Sequence, residues 1–102
     1  MMKIEYSPKA LEDLKSIQRY LYLEWGDITA DKSVQALLSD IKRLTDFPSL
    51  GASLSKKINR VSDYRYVYSN KNYIFYRAET DSIKIIRIIN EKQDFIRELF
   101  QD

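Results

Sequence analysis

The stretch that decides the fold is residues 64–89, YRYVYSNKNYIFYRAETDSIKIIRII. Aromatic and β-branched residues, which favour strands, fill three runs within it, Tyr64–Tyr68, Tyr73–Arg77 and Ile83–Ile89. Short polar segments rich in Ser, Asn, Asp and Thr separate the runs and are typical of turns. Consecutive runs of this kind predict antiparallel strands joined by short connections.

The last of these runs carries apolar side chains on both faces, which indicates a central strand covered on both sides. Strict alternation places Arg87 on the face that holds Ile83, Ile85 and Ile89. An arginine in such a strand needs a partner, because an unpaired buried charge is costly. Arg87 either holds an anion in a concave site or pairs with a carboxylate. We favour the pair, with Glu91, Asp94 or a carboxylate of a partner protein.

Two amphipathic helices are predicted before this meander. Ser7-Pro8 is a helix start, with Ser as the N-terminal cap and Pro at the first helical position. Gly26 is expected to end the first helix and Phe47-Pro48 the second. Their apolar stripes are Ala10, Leu14, Ile17 and Leu21, and then Ala30, Val34, Leu37, Ile41 and Leu44. We expect a helical hairpin whose core is covered by Trp25.

The remaining segments complete an α+β domain. Met2–Tyr6 is predicted to be a strand, Leu54–Val61 a further strand of the meander, and Asp94–Phe100 a short terminal helix or tail. No linker or repeat divides the chain, so residues 1–102 are expected to form a single domain. The predicted architecture is an N-terminal strand and a helical hairpin packed on one face of a small antiparallel sheet.

Composition removes several classes of chemistry. The chain has no cysteine and no histidine, so it lacks a thiolate nucleophile, the commonest metal ligand and the usual general base near neutral pH. We expect no metal site and no cofactor, because no phosphate-binding glycine pattern or metal-ligand spacing is present. Charges near the N-terminus interrupt any signal-peptide core, and no apolar run could span a membrane, so a cytoplasmic protein is expected.

A basic and aromatic surface is the main candidate for binding. The chain carries a net charge of only +2, yet cations cluster between Ser55 and Arg77 with one acid, Asp63, among them. Cations beside aromatic rings suit a polyanionic partner. The alternative is that half of the aromatic residues form core and the cations are a solvated sheet face. The candidate binding residues are Lys56, Lys57, Arg60, Arg65, Tyr73, Arg77 and Arg87.

Several segments together resemble the RelE/ParE superfamily of bacterial type II toxins. They are YSPKALEDLKSIQRYL at residues 6–21, LTDFPSLG at 44–51 and the meander of 64–89 with the residues that follow it. The likeness runs from about Ile4 to Phe100 in order and spacing. It implies a small toxin that a cognate antitoxin neutralises by wrapping the sheet and the helical hairpin. Its target would be DNA gyrase, as for ParE-like toxins, or ribosome-bound mRNA, as for RelE-like toxins.

The resemblance carries over to the ribonuclease site only in part. Arg65 matches a cationic position of RelE-like toxins, and Lys92 falls where that site has an arginine. Tyr73 stands where RelE-like members carry arginine, and Asn90 stands where many carry histidine. The ribonuclease set is therefore incomplete, and the resemblance favours a non-catalytic toxin of gyrase, whose toxicity would depend on the helical hairpin or the C-terminal tail.

The alternative is an endonuclease that cuts mRNA in the ribosomal A site. Cleavage by 2′-hydroxyl attack needs a proton acceptor, a proton donor and stabilisation of the charged intermediate. Arg65, Arg60 and Lys92 could stabilise charge, and Tyr76 or Lys57 could move protons. A third hypothesis is a non-toxic relative that only binds its antitoxin.

Overall fold

Residues 2–100, which the computed structural model describes, form five strands and four helices. In chain order they are β1 Lys3–Tyr6, α1 Pro8–Trp25, α2 Asp27–Asp46, β2 Ala52–Ser53, α3 Leu54–Ile58, β3 Arg65–Ser69, β4 Asn72–Ala78, β5 Ser82–Asn90 and α4 Phe95–Phe100. The predicted α+β architecture of strand, helical hairpin, meander and short terminal helix is confirmed.

The ends of α1 follow from three residues. The Ser7 hydroxyl accepts the Ala10 N–H at 3.0 Å, and Pro8 occupies the first helical position. At the other end Gly26 adopts a φ of 84°, and its N–H bonds to the Tyr22 carbonyl at 3.0 Å. A positive φ costs glycine little, so the chain reverses there and α2 packs back along α1. The predicted stripe of α2 is buried along its whole length.

The sheet has the order β1-β5-β4-β3-β2. Strands β3, β4 and β5 form the predicted antiparallel meander. The prediction of an antiparallel sheet does not hold for β1, which lies parallel to β5 with Ile4 beside Ile83. Parallel neighbours need a long connection, and the whole chain between these two strands supplies it. Strand β5 thus lies between β1 and β4, which fits its isoleucine-rich sequence.

A register shift in β5 changes which residues share a face. Phe75 of β4 pairs with Arg87, but the next residue, Tyr76, pairs with Ile85, so Ile86 has no direct partner. The face assignment from strict alternation is therefore wrong beyond the shift. The isoleucines packed beneath the helical hairpin are Ile83, Ile85 and Ile88. Those packed on the other side of the sheet are Ile86 and Ile89.

The predicted strand Leu54–Val61 is wrong. Only Ala52–Ser53 pairs with β3, and Leu54–Ile58 forms the helix α3. Leu54 and Ile58 stand one helical turn apart on one face of α3, and both pack against the sheet. A spacing of four residues also puts two side chains on one face of a strand, so the apolar pattern fits either element. The helix ends at Asn59, which adopts the left-handed conformation with a φ of 55°.

None of the helices within residues 2–100 combines the length and the apolar character needed to cross a membrane.

Candidate functional site

The face of the sheet that points away from the helical hairpin is built from aromatic residues; we call it the open face. Its rings are Tyr66, Tyr68, Tyr73, Phe75 and Phe95. Ring centroids lie 5.4 Å apart for Tyr68 and Tyr73 and 5.4 Å apart for Phe75 and Phe95. Phe75 is 1% exposed and Tyr68 is 54% exposed, so this cluster grades from core into surface. The alternative that part of the aromatic residues form core therefore holds for Phe75, whereas Tyr68 lies at the surface.

Cations at the border of the open face rest on aromatic rings. The Lys57 Nζ lies 5.8 Å from the centroid of Tyr66, and the Arg60 guanidinium lies 5.3 Å from the centroid of Phe100. Lys56, on the same short helix, is exposed. Cation–π contacts position a charged group without using its N–H donors. These three predicted binding residues thus form one continuous basic edge on α3 and the residues after it.

Arg77 and Arg87 are engaged by carboxylates of the same chain. Arg77 lies 3.2 Å from Glu79 and 3.9 Å from Asp63 in a partly exposed position. Arg87 forms a two-pronged pair with Asp13, with nitrogen–oxygen distances of 2.7 and 2.9 Å. Carboxylates of this kind satisfy the fork of an arginine and leave little for an external anion.

Arg87 joins three elements of the fold. Besides Asp13 of α1, its guanidinium donates to the Glu98 carbonyl of α4 at 3.0 Å. The side chains of Arg87 and Asp13 are only 14% and 15% exposed, and the bond to Asp13 raises the pKa of Arg87. The expected ion pair is confirmed, but the partners expected from the sequence, Glu91 and Asp94, are wrong. The true partner lies far away in the chain, where sequence spacing gives no signal.

Arg65 and Tyr76 hold the turn that precedes β2. The Tyr76 hydroxyl donates to the Pro48 carbonyl at 2.7 Å and accepts the Gly51 N–H at 2.9 Å. Arg65 donates to the Gly51 carbonyl at 2.7 Å. A Cβ at Gly51 would lie 2.7 Å from the Tyr76 ring, so only glycine fits this close approach. Tyr76 is 0% exposed, and burial raises the pKa of its hydroxyl.

The five endonuclease candidates do not meet at one point. Lys92 lies in the turn after β5, at the end of the sheet where Ser69, Asn72 and Asn90 are neighbours. Arg65 stands four residues away from that end along β3, roughly 13 Å at about 3.3 Å per residue. Lys57 and Arg60 border the open face, whereas Tyr76 packs into the core beneath the helical hairpin.

A second exposed surface lies where α1 meets α2; we call it the hairpin tip. Its large apolar side chains are 54–73% exposed: Tyr20, Tyr22, Leu23, Trp25 and Ile28. Trp25 is 65% exposed, so the expectation that it covers the hairpin core is wrong. The exposure of these residues could have been predicted from the sequence, because they lie off the buried stripes of both helices. Exposed apolar patches of this kind mark interaction sites.

The arrangement is suited to binding. The open face offers fixed cations and rings, and the hairpin tip offers apolar side chains. Within residues 2–100, no three or more carboxylates come together in a way that could hold a metal ion.

Comparison with known proteins agrees with this geometry. The family described as the ParE toxin of type II toxin–antitoxin systems, parDE, matches residues 4–95. A solved structure described as the chromosomal ParDE toxin–antitoxin system from P. aeruginosa is 25% identical, with a TM-score of 0.73. The match covers 88% of this chain and 96% of that one. A comparison with curated protein sequences found no match. The chain therefore belongs to the ParE toxin family of type II toxin–antitoxin systems.

Proposed function

We propose that this ParE-family toxin arrests growth by acting on DNA gyrase, without catalytic residues of its own, and that a cognate antitoxin neutralises it. The observation that carries the proposal is the dispersal of the endonuclease candidates. A general acid or base must lie about 3 Å from the proton that it moves. The Tyr76 hydroxyl is fully buried and already bonded to two backbone groups, so it is poorly placed to move a substrate proton.

The charge of the exposed cations supports a binding role. Lys57 and Arg60 are placed by ring contacts at the border of the open face, and Lys56 is exposed beside them. We place the contact with gyrase on the open face and its basic border, which include α4 of the C-terminal segment, in preference to the helical hairpin that the resemblance also suggested. Because Arg87 and Tyr76 are engaged within the fold, the proposal gives them structural roles and leaves them out of this contact.

The exposed apolar surface supports an antitoxin as partner. The similar structure from P. aeruginosa is described as a ParDE system, a toxin with its antitoxin. We propose that the antitoxin of this chain covers the hairpin tip, whose apolar residues are poorly suited to water. By extending over the open face it would compete with gyrase for the same residues. With these two partners, we propose a cytoplasmic location.

The test is a pair of reactions with the same purified toxin. In the first, gyrase and plasmid DNA are incubated with increasing toxin, and we expect cleaved linear plasmid that disappears when antitoxin is added. In the second, a defined mRNA is translated in vitro and new 5′ ends are mapped, and we expect none.

Discrete cuts at A-site codons that vanish with Arg65→Ala would overturn the proposal in favour of the endonuclease. Lys15→Ala, an exposed change on α1, serves as the control in both reactions. Intact plasmid, intact mRNA and no growth arrest would indicate a non-toxic relative that only binds its antitoxin.

A further inference from the structure

A cleft of about 370 Å³ lies between α4 and the residues that follow α3. It is lined by Arg60, Asp94, Ile96, Arg97 and Phe100. Two guanidinium groups, an exposed aromatic ring and an exposed isoleucine thus border one concave surface. The cleft could not be foreseen from the sequence, because the pattern of Leu54–Val61 indicates a strand and nothing in the spacing links Arg97 to Arg60.

The cations of this cleft and of α3 differ from Arg77 and Arg87 in having no carboxylate partner in the described part of the chain. Arg77 and Arg87 form salt bridges within the chain. Lys56, Lys57, Arg60 and Arg97 form none with any carboxylate of residues 2–100. The ring contact of Arg60 with Phe100 holds the guanidinium in place while its N–H groups stay available. Four cations, on α3, on the segment that follows it and on α4, are therefore available to bind anions.

We propose that this cleft and its basic border bind the phosphodiester backbone of DNA. The inference rests on the proposed function, because gyrase acts on DNA and a toxin bound to gyrase could reach that DNA. DNA carries one negative charge about every 1.7 Å of its axis, so it can meet several fixed cations at once without any sequence match. The exposed Phe100 and Ile96 can contact sugars or an unpaired base beside the phosphates.

Asp94 is the one acid among the lining residues, and it weakens this attraction. Its carboxylate oxygen accepts the backbone N–H of Arg97 at 3.3 Å, and this bond caps α4. Asparagine caps a helix as well as aspartate does. Asp94→Asn should therefore keep the helix and strengthen DNA binding about threefold by removing a like charge.

The test measures fluorescence anisotropy of a labelled DNA duplex of about twenty base pairs, titrated with the full-length toxin at about 50 and 200 mM salt. We expect Arg60→Ala/Arg97→Ala to weaken binding at least tenfold at the lower salt and to reduce the salt slope by roughly 0.9 for each phosphate that the variant no longer neutralises. Lys15→Ala/Lys32→Ala is the matched control, since it removes the same charge from exposed positions of the helical hairpin. A melting curve for each variant checks that the fold is intact.

Equal weakening by the cleft and control variants would overturn the inference, as would the absence of duplex binding at the lower salt. Tighter binding of a single-stranded RNA of equal length, or of polyglutamate, would overturn it in favour of mRNA or of an acidic protein segment. Gyrase and ribosomes are both absent from the assay, so this result is independent of the target. Failure here leaves the gyrase proposal standing, and failure of the gyrase reaction leaves DNA binding standing.

Discussion

The two faces of the sheet are built from different residues and differ in how deeply those residues are buried. Beneath the helical hairpin, nine buried residues, mostly aliphatic, are at most 2% exposed. The open face has three residues buried to that degree, and its aromatic surface extends outward to the half-exposed Tyr68. Complete burial stabilises a fold, whereas partial coverage by two short helices leaves rings and cations available to a partner. The comparison teaches that the face beneath the helical hairpin supplies most of the core, whereas the open face keeps the exposed rings and cations to which we assign binding.

The largest effect is expected in the core beneath the hairpin. Ile85→Ala should lower the free energy of unfolding by about 2–5 kcal/mol, because Ile85 is 0% exposed and its truncation leaves a cavity. Tyr68→Ala on the open face should cost under about 1 kcal/mol. Urea unfolding of both variants checks this. If Tyr68→Ala costs as much as Ile85→Ala, the open face is core as well and the comparison fails.

The next largest effect is expected for the ion pair between Asp13 and Arg87, which also bonds to α4. Asp13→Ala should destabilise by about 3 kcal/mol, because it removes the two-pronged partner of the nearly buried Arg87, leaves it only its contacts with Glu98, and leaves the Ile88 N–H without its acceptor. The double variant Asp13→Leu/Arg87→Met should recover much of this stability, since apolar replacement of a buried pair is often neutral. Thermal unfolding of both variants measures the recovery. A double variant as unstable as Asp13→Ala would contradict the role given to the ion pair, since both variants also lose the acceptor of the Ile88 N–H.

Tyr76→Phe tests the turn held beneath the sheet. It leaves the Pro48 carbonyl and the Gly51 N–H unsatisfied, so we expect the free energy of unfolding to fall by about 1–2 kcal/mol. Burial raises the pKa of Tyr76 above that of an unfolded tyrosine, about 10. The contribution of Tyr76 to the free energy of unfolding is therefore complete below about pH 10 and decreases as the pH rises further.

Unfolding in urea between about pH 9 and 11 measures this dependence. The wild type should lose more stability over that range than Tyr76→Phe. Some pH dependence should remain in the variant, because burial also raises the pKa of Tyr6 and the bond to Glu91 raises the pKa of Tyr68. Identical pH profiles would mean that Tyr76 ionises no differently in the folded and unfolded chains.

The smallest effect concerns the β3–β4 turn, where both faces end. Asn70 and Lys71 have φ of 50° and 66°, the left-handed pair of a two-residue hairpin, and Asn-Gly is the preferred sequence there. Lys71→Gly should therefore raise the free energy of unfolding by about 0.5–1 kcal/mol. Lys92→Gly, in the neighbouring turn, controls for removal of a lysine. A Lys71→Gly variant no more stable than the wild type would show that this turn carries no strain.

The sequence predicts the fold well wherever the period of the pattern is unambiguous. The helices of the hairpin and the strands of residues 64–89 were predicted correctly because each apolar pattern recurs several times. The helix α3 was missed because five residues hold only one helical repeat, Leu54 to Ile58. The faces of β5 were misassigned because a register shift is a property of the pair of strands and cannot be read from the sequence of one strand.

The candidate site was predicted less completely, since contact between distant residues decides it. Arg60 and Lys57 were identified as surface cations, but their aromatic partners and the nearby Arg97 depend on how two short helices pack. Arg87 was recognised as needing a partner, yet Asp13 lies in a different element. The type of a residue can show that it needs a partner, but the identity of that partner follows only from the folded structure.

The central claim is that the open face binds the target and the core beneath the helical hairpin only supports it. The most direct measurement is amide hydrogen exchange of the toxin, alone and with gyrase. We predict slower exchange with gyrase in α3, β3 and α4, and no change at the hairpin tip, residues 20–28. Protection confined to the hairpin tip, with the open face unaffected, would contradict this account.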